Sequence, residues 1–339
     1  MNTIFSCCCR KHLATSTPIR FPLGFRGGEP PFTLSLQGRC ATRPCQSRVL
    51  VSSQRAPEAM SLLLPIESYA VNGALPVHEA EYRYPALADG WYRIHDTLRA
   101  EMALFRKCLE KCSGPLEAWQ ADALKTFWKS HSDLVHVHHS HEEDLHIPML
   151  KERVALPEKI MKDHVALLEL MHEVEANVSE LKAGGNVKDV LKAFDNYEPE
   201  MKTHFTEEET IYVPLMRAYF AHKEVQDKVA AIMKKLDKTL MGSFVHHQGS
   251  KADFKKFMAQ EGIPYFVWYL EFKNCRTLYR KKILTLVQAL LTGVAPTARL
   301  TSKKDLADAI NFDPSQSWKV TRTEAAAAVK LQAPAPTVF

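Results

Sequence analysis

The sequence predicts an all-α protein, built as an up-down antiparallel four-helix bundle with a helical C-terminal extension. Two observations carry this prediction. Between residues 89 and 221, apolar residues recur every three or four positions over long spans, which is the period of an amphipathic helix. Glycine and proline, which end helices, cluster at only a few points in that region. No segment alternates clearly between apolar and polar residues, although residues 263–272 are a weak strand candidate.

Proline and glycine divide this region into four predicted helices. Their predicted bounds are residues 89–112, 115–153, 157–183 and 187–221. Pro115 and Pro157 suit the first turn of a helix, where no backbone N–H is needed. Gly184 suits the C-terminal end of the third helix. Pro199 predicts a kink or a restart inside the fourth helix. Short connections make consecutive helices antiparallel neighbours, and a bundle over residues 85–222 follows.

The composition excludes several classes of protein. The chain has 339 residues, of which 46% are hydrophobic and 24% charged, so it can bury a sizeable core. No uncharged apolar run reaches the roughly 18 residues that a membrane-spanning helix needs. The eight cysteines form no Cys-x-x-Cys pair, which argues against a disulfide framework and a cysteine zinc site.

The N-terminal segment differs in charge from the rest of the chain. Residues 1–56 hold eight basic residues and one acidic residue, whereas the remainder carries a net charge of −2. A nearly neutral body gives no indication of nucleic-acid binding. Abundant Arg, Ser and Thr with almost no acids predict a transit peptide, and the Ser, Thr and Pro content favours the chloroplast over the mitochondrion. A disordered tail is the alternative. Residues 57–84 are predicted to be a linker.

The C-terminal third gives weaker patterns. Residues 223–293 are predicted to be a helical extension that packs on the bundle, and residues 294–339 a mostly disordered tail. Within the extension, helical periodicity breaks at residues 241–247 and resumes in a short helix at 251–260. The aromatic and basic residues after 263 would also suit a membrane-surface helix or a partner groove. A packed helical layer is the favoured interpretation, and the sequence indicates no particular protein partner.

Histidine and glutamate recur at a regular spacing that suggests a functional site. Of the fifteen histidines in the chain, six lie between residues 131 and 146. His138 and Glu142 are four residues apart, so both point from one helix face. The fourth helix repeats the pair as His204 and Glu208, at an offset of 66 residues. Each glutamate precedes a proline by six residues, which supports the alignment.

The first and third helices match each other as well. His95 is followed by leucine three residues later and methionine seven residues later, and His164 has the same neighbours. The two halves therefore form an internal repeat. A bundle with pseudo-twofold symmetry would bring four histidines and two glutamates together in its core.

Six such groups on apolar helix faces predict a metal site, because buried charges are costly unless they are paired or bound to metal. The predicted ligands are His95, His138, Glu142, His164, His204 and Glu208. Six ligands are too many for one tetrahedral zinc ion. They suit two metals, each with two histidines and both sharing the carboxylates. Imidazole with carboxylate is compatible with iron, manganese or zinc.

This pattern resembles the hemerythrin-like, or HHE cation-binding, family. The resemblance rests on His95, on the motif His138-His-Ser-His-Glu142, on His164, and on the motif His204-Phe-Thr-Glu-Glu208. It implies a non-haem centre of two iron ions with a bridging oxo or hydroxo group. It further implies that the four histidines are terminal ligands and that the two glutamates bridge. Oxygen or nitric oxide would be the small ligand.

Two positions depart from the oxygen-carrying members of that family. Those members have a further histidine where this chain has Leu168 and an aspartate where it has Glu209. The departures favour a protein that binds or senses oxygen, nitric oxide or iron over an oxygen transporter. A di-iron oxidase or peroxidase and an iron storage or buffering protein are the alternatives. A binding protein is favoured over an enzyme, and no catalytic residue is assigned.

Several neighbouring residues leave alternatives open. His139 and Glu143 are also four residues apart and would be the true pair if the register slipped by one. The aligned prolines favour His138 and Glu142. His131 could orient a metal ligand, or could cap a helix or face solvent. Tyr197 is expected to pack in the core, and could instead hydrogen-bond a bound oxygen species.

Overall fold

The structure is a computed structural model that describes residues 64–76 and 81–296. Within these residues the fold is an all-α bundle and contains no strand, which confirms the predicted fold class. The predicted transit peptide at residues 1–56 and nearly all of the predicted tail at 294–339 lie outside the described residues. The weak strand prediction for residues 263–272 is wrong, since Trp268–Phe272 form a π-helical turn.

The described helices are named in chain order. They are α1 (Gly90–Lys111), α2 (Ala118–His141), α3 (Ile147–Lys151), α4 (Glu158–Ser179), α5 (Lys188–Tyr219), α6 (His222–Lys235), α7 (Lys238–His247), α8 (Lys251–Gln260), α9 (Lys273–Tyr279) and α10 (Thr285–Thr292). A π-helical turn at Glu142–His146 joins α2 to α3, so the predicted second helix contains one irregular turn. Another, Arg280–Leu284, joins α9 to α10.

The bundle consists of α1, α2, α4 and α5. Helix α1 contacts α2 and α5, and α4 contacts the same two helices, so each helix has two neighbours. Local chemistry sets the helix ends. The side chain of Asp89 accepts a hydrogen bond from the backbone N–H of Trp91 at the start of α1. Glu117 and Gln120 form a capping box at the start of α2. Helix α5 continues through Pro199 without a restart.

Two apolar clusters fill the bundle. One contains Leu98, Met102, Leu167 and Met171, the leucine and methionine positions of the internal repeat, together with most of the remaining bundle core. The other surrounds Tyr212 near the opposite end. Histidines and glutamates of the repeat lie along the same helices, between residues assigned to the two clusters. Burial of so much apolar surface supplies the main driving force for folding.

The C-terminal helices pack on the bundle. Helix α7 contacts α1, α2 and α9, and α10 contacts α1 and α2. The predicted break at residues 241–247 is wrong, because these residues form the buried part of α7. Gly242 allows the contact between α7 and α9, since a Cβ atom there would lie 2.1 Å from the carbonyl oxygen of Cys275. None of the described helices is long and apolar enough to span a membrane.

Candidate metal centre

All six residues predicted to bind metal converge inside the bundle. His95 comes from α1, His138 from α2, His164 from α4 and His204 with Glu208 from α5. Glu142 begins the π-helical turn after α2. Each of these residues is at most 7% exposed. The repeat thus places its polar residues together in a buried part of the molecule.

The first group of donors contains His95, His138, Glu142 and Glu208. The Nε2 atom of His95 lies 3.1 Å from the Nε2 atom of His138 and 3.3 Å from Oε2 of Glu208. The Nε2 atom of His138 lies 3.3 Å from Oε1 of Glu142. Two donors bonded to one ion at about 2.1 Å are about 3.0–3.4 Å apart when their angle is about 90–110°. These spacings fit one metal ion.

The second group contains His139, Glu142, His164 and His204. The Nε2 atom of His164 lies 3.7 Å from Oε2 of Glu142. The rings of His139 and His164 stack with their centroids 4.4 Å apart. The donor atoms of this group lie within 4.8 Å of one another, so they too can surround one ion.

Both glutamates connect the two groups. Oε1 of Glu142 faces His138 and its Oε2 faces His164. Oε2 of Glu208 lies near His95, and its Oε1 lies 3.4 Å from Nε2 of His204 and 3.5 Å from that of His164. Each carboxylate therefore turns one oxygen toward each group. This is the geometry required of a carboxylate that bridges two metal ions.

His139 is a candidate donor that the sequence pattern does not predict alongside His138. The pattern offers His138 and His139 as alternatives, whereas the structure places one in each group. Helix α2 lies between α1 and α4. Adjacent residues on a helix point about 100° apart, so His138 can face His95 on α1 while His139 faces His164 on α4. Two features of the sequence point to His139. It is adjacent to His138, and Leu168 stands where a further histidine donor would be expected.

The π-helical turn lies at the candidate centre. The backbone N–H of Ile147 bonds to the carbonyl of Glu142, five residues earlier. Pro148 follows and has no N–H to donate, which disfavours the regular α-helical pattern at this point. Single π-helical turns of this kind occur often at functional sites.

Two outer carboxylates orient the histidines. The Nδ1–H group of His95 donates to Oε1 of Glu209 at 3.0 Å, and Arg99 donates two hydrogen bonds to the same carboxylate at 2.6 and 2.9 Å. The Nδ1–H group of His164 donates to Oε1 of Glu143 at 3.0 Å. Since an ionised carboxylate only accepts, the proton of the neutral ring sits on Nδ1, and its Nε2 lone pair then faces the centre.

Burial and neighbouring charges shift the pKa values of the donors. Burial raises the pKa of Glu142, and the adjacent Glu208 raises it further. Burial also opposes ionisation of Glu208, but the imidazoles, His204 foremost, hold the pKa of that carboxyl well below its usual range. Burial lowers the pKa of His138 and His139, and lowers that of His204 to about 4. These three histidines are neutral at pH 7, which is the form that binds metal.

Many donor atoms have no other partner. Both carboxylate oxygens of Glu142 and Glu208, Nε2 of His164, and both ring nitrogens of His139 and His204 are buried without a hydrogen bond to any described residue. Buried polar atoms nearly always have partners. Two divalent cations would satisfy the converging atoms at once, so the residues fit a two-metal centre.

His131 and Tyr197 lie elsewhere. His131 is fully buried, so neither a cap nor a solvent-facing role holds, and its ring bonds Glu101 and the hydroxyl of Tyr197 at 3.1 Å each. Glu101 also accepts hydrogen bonds from Ser243 and Tyr279. We call these five residues the Glu101 network. His146 is also buried, at 8% exposure.

Comparison with known proteins supports the metal site. Residues 155–261 match the family model described as the hemerythrin HHE cation binding domain. No curated protein and no solved structure matches the chain. The matched segment holds His164, His204 and Glu208, and it extends past the predicted bundle through α8. The resemblance to hemerythrin-like proteins is thus confirmed over this segment, and the clustered histidines and glutamates could hold metal.

Proposed function

We propose that the protein holds two iron ions in this buried centre and binds or senses a small diatomic ligand, oxygen or nitric oxide. One observation carries the proposal. Glu142 and Glu208 each turn one carboxylate oxygen toward each histidine group, and those oxygens have no hydrogen-bond partner among the described residues. Such an arrangement suits a carboxylate-bridged metal pair.

The two ions would have unequal protein ligands. His95 and His138 would hold one ion, and His139, His164 and His204 the other, with both glutamates shared. An octahedral ion takes six donors, so the ion with two histidines keeps more positions for a small ligand. A bound iron pair supplies redox chemistry and reversible binding of diatomic molecules. The asymmetry predicts that the ligand binds on the side of His95 and His138.

The nitrogen-rich donor set favours iron. A structural zinc ion takes four ligands in a tetrahedron, whereas seven side chains converge here for two ions. Manganese prefers oxygen donors more strongly than this set provides. The family match to a cation-binding domain agrees with metal binding in general, and iron is the proposal.

The protein's own residues prepare the site. Glu209, held by Arg99, fixes the ring of His95, and Glu143 fixes the ring of His164. Apolar clusters pack on either side of the centre. A low-dielectric surrounding strengthens the interaction between the carboxylates and the metal charge.

A binding role is favoured over an oxidase or peroxidase. An enzyme of that class needs a proton donor beside the metals. Three side chains that could donate a proton are already engaged, since Glu143 bonds His164, Glu209 bonds His95 and Arg99, and Tyr197 bonds His131. Iron storage would require sites for many ions, whereas the described residues converge on two groups.

Metal analysis and spectroscopy test the proposal. We expect about two irons per chain in the purified protein, with the near-ultraviolet absorption of a bridged ferric pair. We expect the absorption to bleach on reduction and to return reversibly with oxygen. Irreversible decay or steady consumption of peroxide would favour the enzyme. A single zinc ion or no metal would overturn the proposal.

We also propose a plastid location, on the composition of residues 1–56 alone. Fusion of these residues to a fluorescent protein tests it in plant or algal cells. Chloroplast fluorescence is expected, and mitochondrial fluorescence would favour the alternative.

A further inference from the structure

A cavity adjoins the candidate metal centre on the side of His138. Its volume is about 110 Å³. Helices α1 and α2 of the bundle form one wall, and α6, α7 and α8 of the C-terminal region form the other. His138 and Glu142 line the cavity, so it reaches the first group of donors. The C-terminal helices thus build a space beside the centre that the four bundle helices do not enclose by themselves.

Most of the cavity wall is apolar. Aliphatic, methionine and phenylalanine side chains line it, among them Ile94, Val137, Val229, Ile232, Met233 and Phe244. The lining also contains the polar side chains of Asp89, His138, His141, Glu142 and His146. Along the apolar part of the wall water is held poorly, because a buried water molecule needs two to four polar partners. An apolar molecule gains free energy there by leaving water.

The size of the cavity limits the ligand. In another protein, an engineered cavity of about 150 Å³ lined by similar residues stays dry and binds benzene. A cavity of about 110 Å³ therefore suits a molecule of five or six carbon atoms. Val229, Ile232 and Met233 on α6 are partly exposed, so the cavity lies close to the molecular surface and a ligand can enter past α6.

We infer that this cavity binds a small apolar organic molecule, a ring or a branched chain of about five or six carbon atoms, beside the candidate metal centre. Binding itself depends only on the cavity. The position of the ligand next to iron rests on the proposed function. The side facing the cavity is that of His138, where the ion with two histidines would have a free position.

Fluorobenzene is a suitable probe, observed by fluorine NMR on the full chain with and without bound metal. We expect saturable binding in both preparations. Val229→Phe places a ring in the cavity and should weaken binding at least about tenfold. Ala230→Phe adds the same ring at an exposed position of α6 and should leave binding unchanged. Ile232→Phe replaces Val229→Phe if circular dichroism shows that the latter fails to fold.

Absence of saturable binding, or equal binding by the folded Val229→Phe or Ile232→Phe protein, would overturn the inference. If the cavity admitted only diatomic gases, fluorobenzene would show no saturable binding. Because the metal-free protein is tested in parallel, binding without metal supports the cavity even if the iron proposal fails. Two irons per chain without fluorobenzene binding would reject only this inference.

Discussion

Two buried clusters of glutamate and histidine lie within residues 81–296, and they differ in whether their polar atoms have hydrogen-bond partners. In the Glu101 network, one carboxylate oxygen accepts from Ser243 at 2.6 Å and from Tyr279 at 3.0 Å, and the other accepts from His131 at 3.1 Å. The remaining ring nitrogen of His131 accepts from the hydroxyl of Tyr197. The protein itself satisfies this cluster.

The candidate metal centre has the same residue types and the same burial, but its atoms are not satisfied. The carboxylates of Glu142 and Glu208 face each other and the surrounding imidazoles without a hydrogen bond within the described part of the chain. Residue type and burial therefore do not distinguish a metal site from a structural network. What distinguishes a candidate metal site is a set of buried polar atoms that have no hydrogen-bond partner and point toward one another.

The largest expected effect is loss of metal from the second group. His204→Ala and His139→Ala should each remove most of the bound metal, because each deletes one of three nitrogen donors and leaves the bridging carboxylates poorly neutralised. Metal per chain is measured by mass spectrometry on folded protein. Tyr197→Phe in the Glu101 network is the matched control and should keep about two metals. A His139→Ala protein with full metal content would show that only the predicted set binds.

The next effect concerns the Glu101 network, where metal content should not change but stability should. Glu101→Ala leaves His131, Ser243 and Tyr279 without their shared acceptor in the core. Removing one member of a buried charged network typically costs about 3–5 kcal/mol. Urea unfolding of the metal-loaded protein measures the loss. If the folded Glu101→Ala protein lost its metal instead, the two clusters would be one functional unit.

Acidification should release the metal. Burial opposes protonation of His95 and His164, but Glu208 with Glu209 raises the pKa of His95, and Glu208 with Glu143 raises that of His164. Metal must displace protons from these rings, so affinity falls as pH falls below neutrality. His204, with a pKa of about 4, adds a further loss only near that pH.

Equilibrium dialysis between pH 7.5 and pH 4 measures this release, with circular dichroism to follow folding. We expect most metal to be lost by pH 4. Full retention at pH 4 in folded protein would contradict the assignment of histidine ligands.

The smallest expected effect is at the outer carboxylate. Glu209→Gln keeps an acceptor for His95 but removes the charge that Arg99 neutralises. Changes to such outer partners typically weaken metal binding about 10–100-fold, and this conservative one should lie near the lower end. Competition with a chelator measures affinity. Asp195→Asn, which removes an ion-pair partner of Arg106 away from the centre, should have no effect.

The sequence by itself determined the four bundle helices and the six repeated candidate donors. The features that predict them are local or repetitive, so they can be detected without a structure. They are the helical period, the proline and glycine positions and the 66-residue offset. These features account for the convergence of His95, His138, His164 and His204. In an antiparallel bundle, equivalent positions of the two repeats lie at the same height along the bundle axis.

Only the tertiary structure decided which polar residues belong together outside that repeat. His139 belongs to the second candidate group because α4, which carries His164, packs against α2. His131 lies outside the candidate metal centre because it bonds Glu101. Glu101 in turn accepts hydrogen bonds from Ser243 and Tyr279, which are more than 100 positions along the chain from His131. Gly242 lies inside α7 and does not end a helix, because the space left by its missing Cβ is filled by α9. In each case the outcome depends on a neighbour that is distant in sequence, and helical periodicity carries no information about such a neighbour.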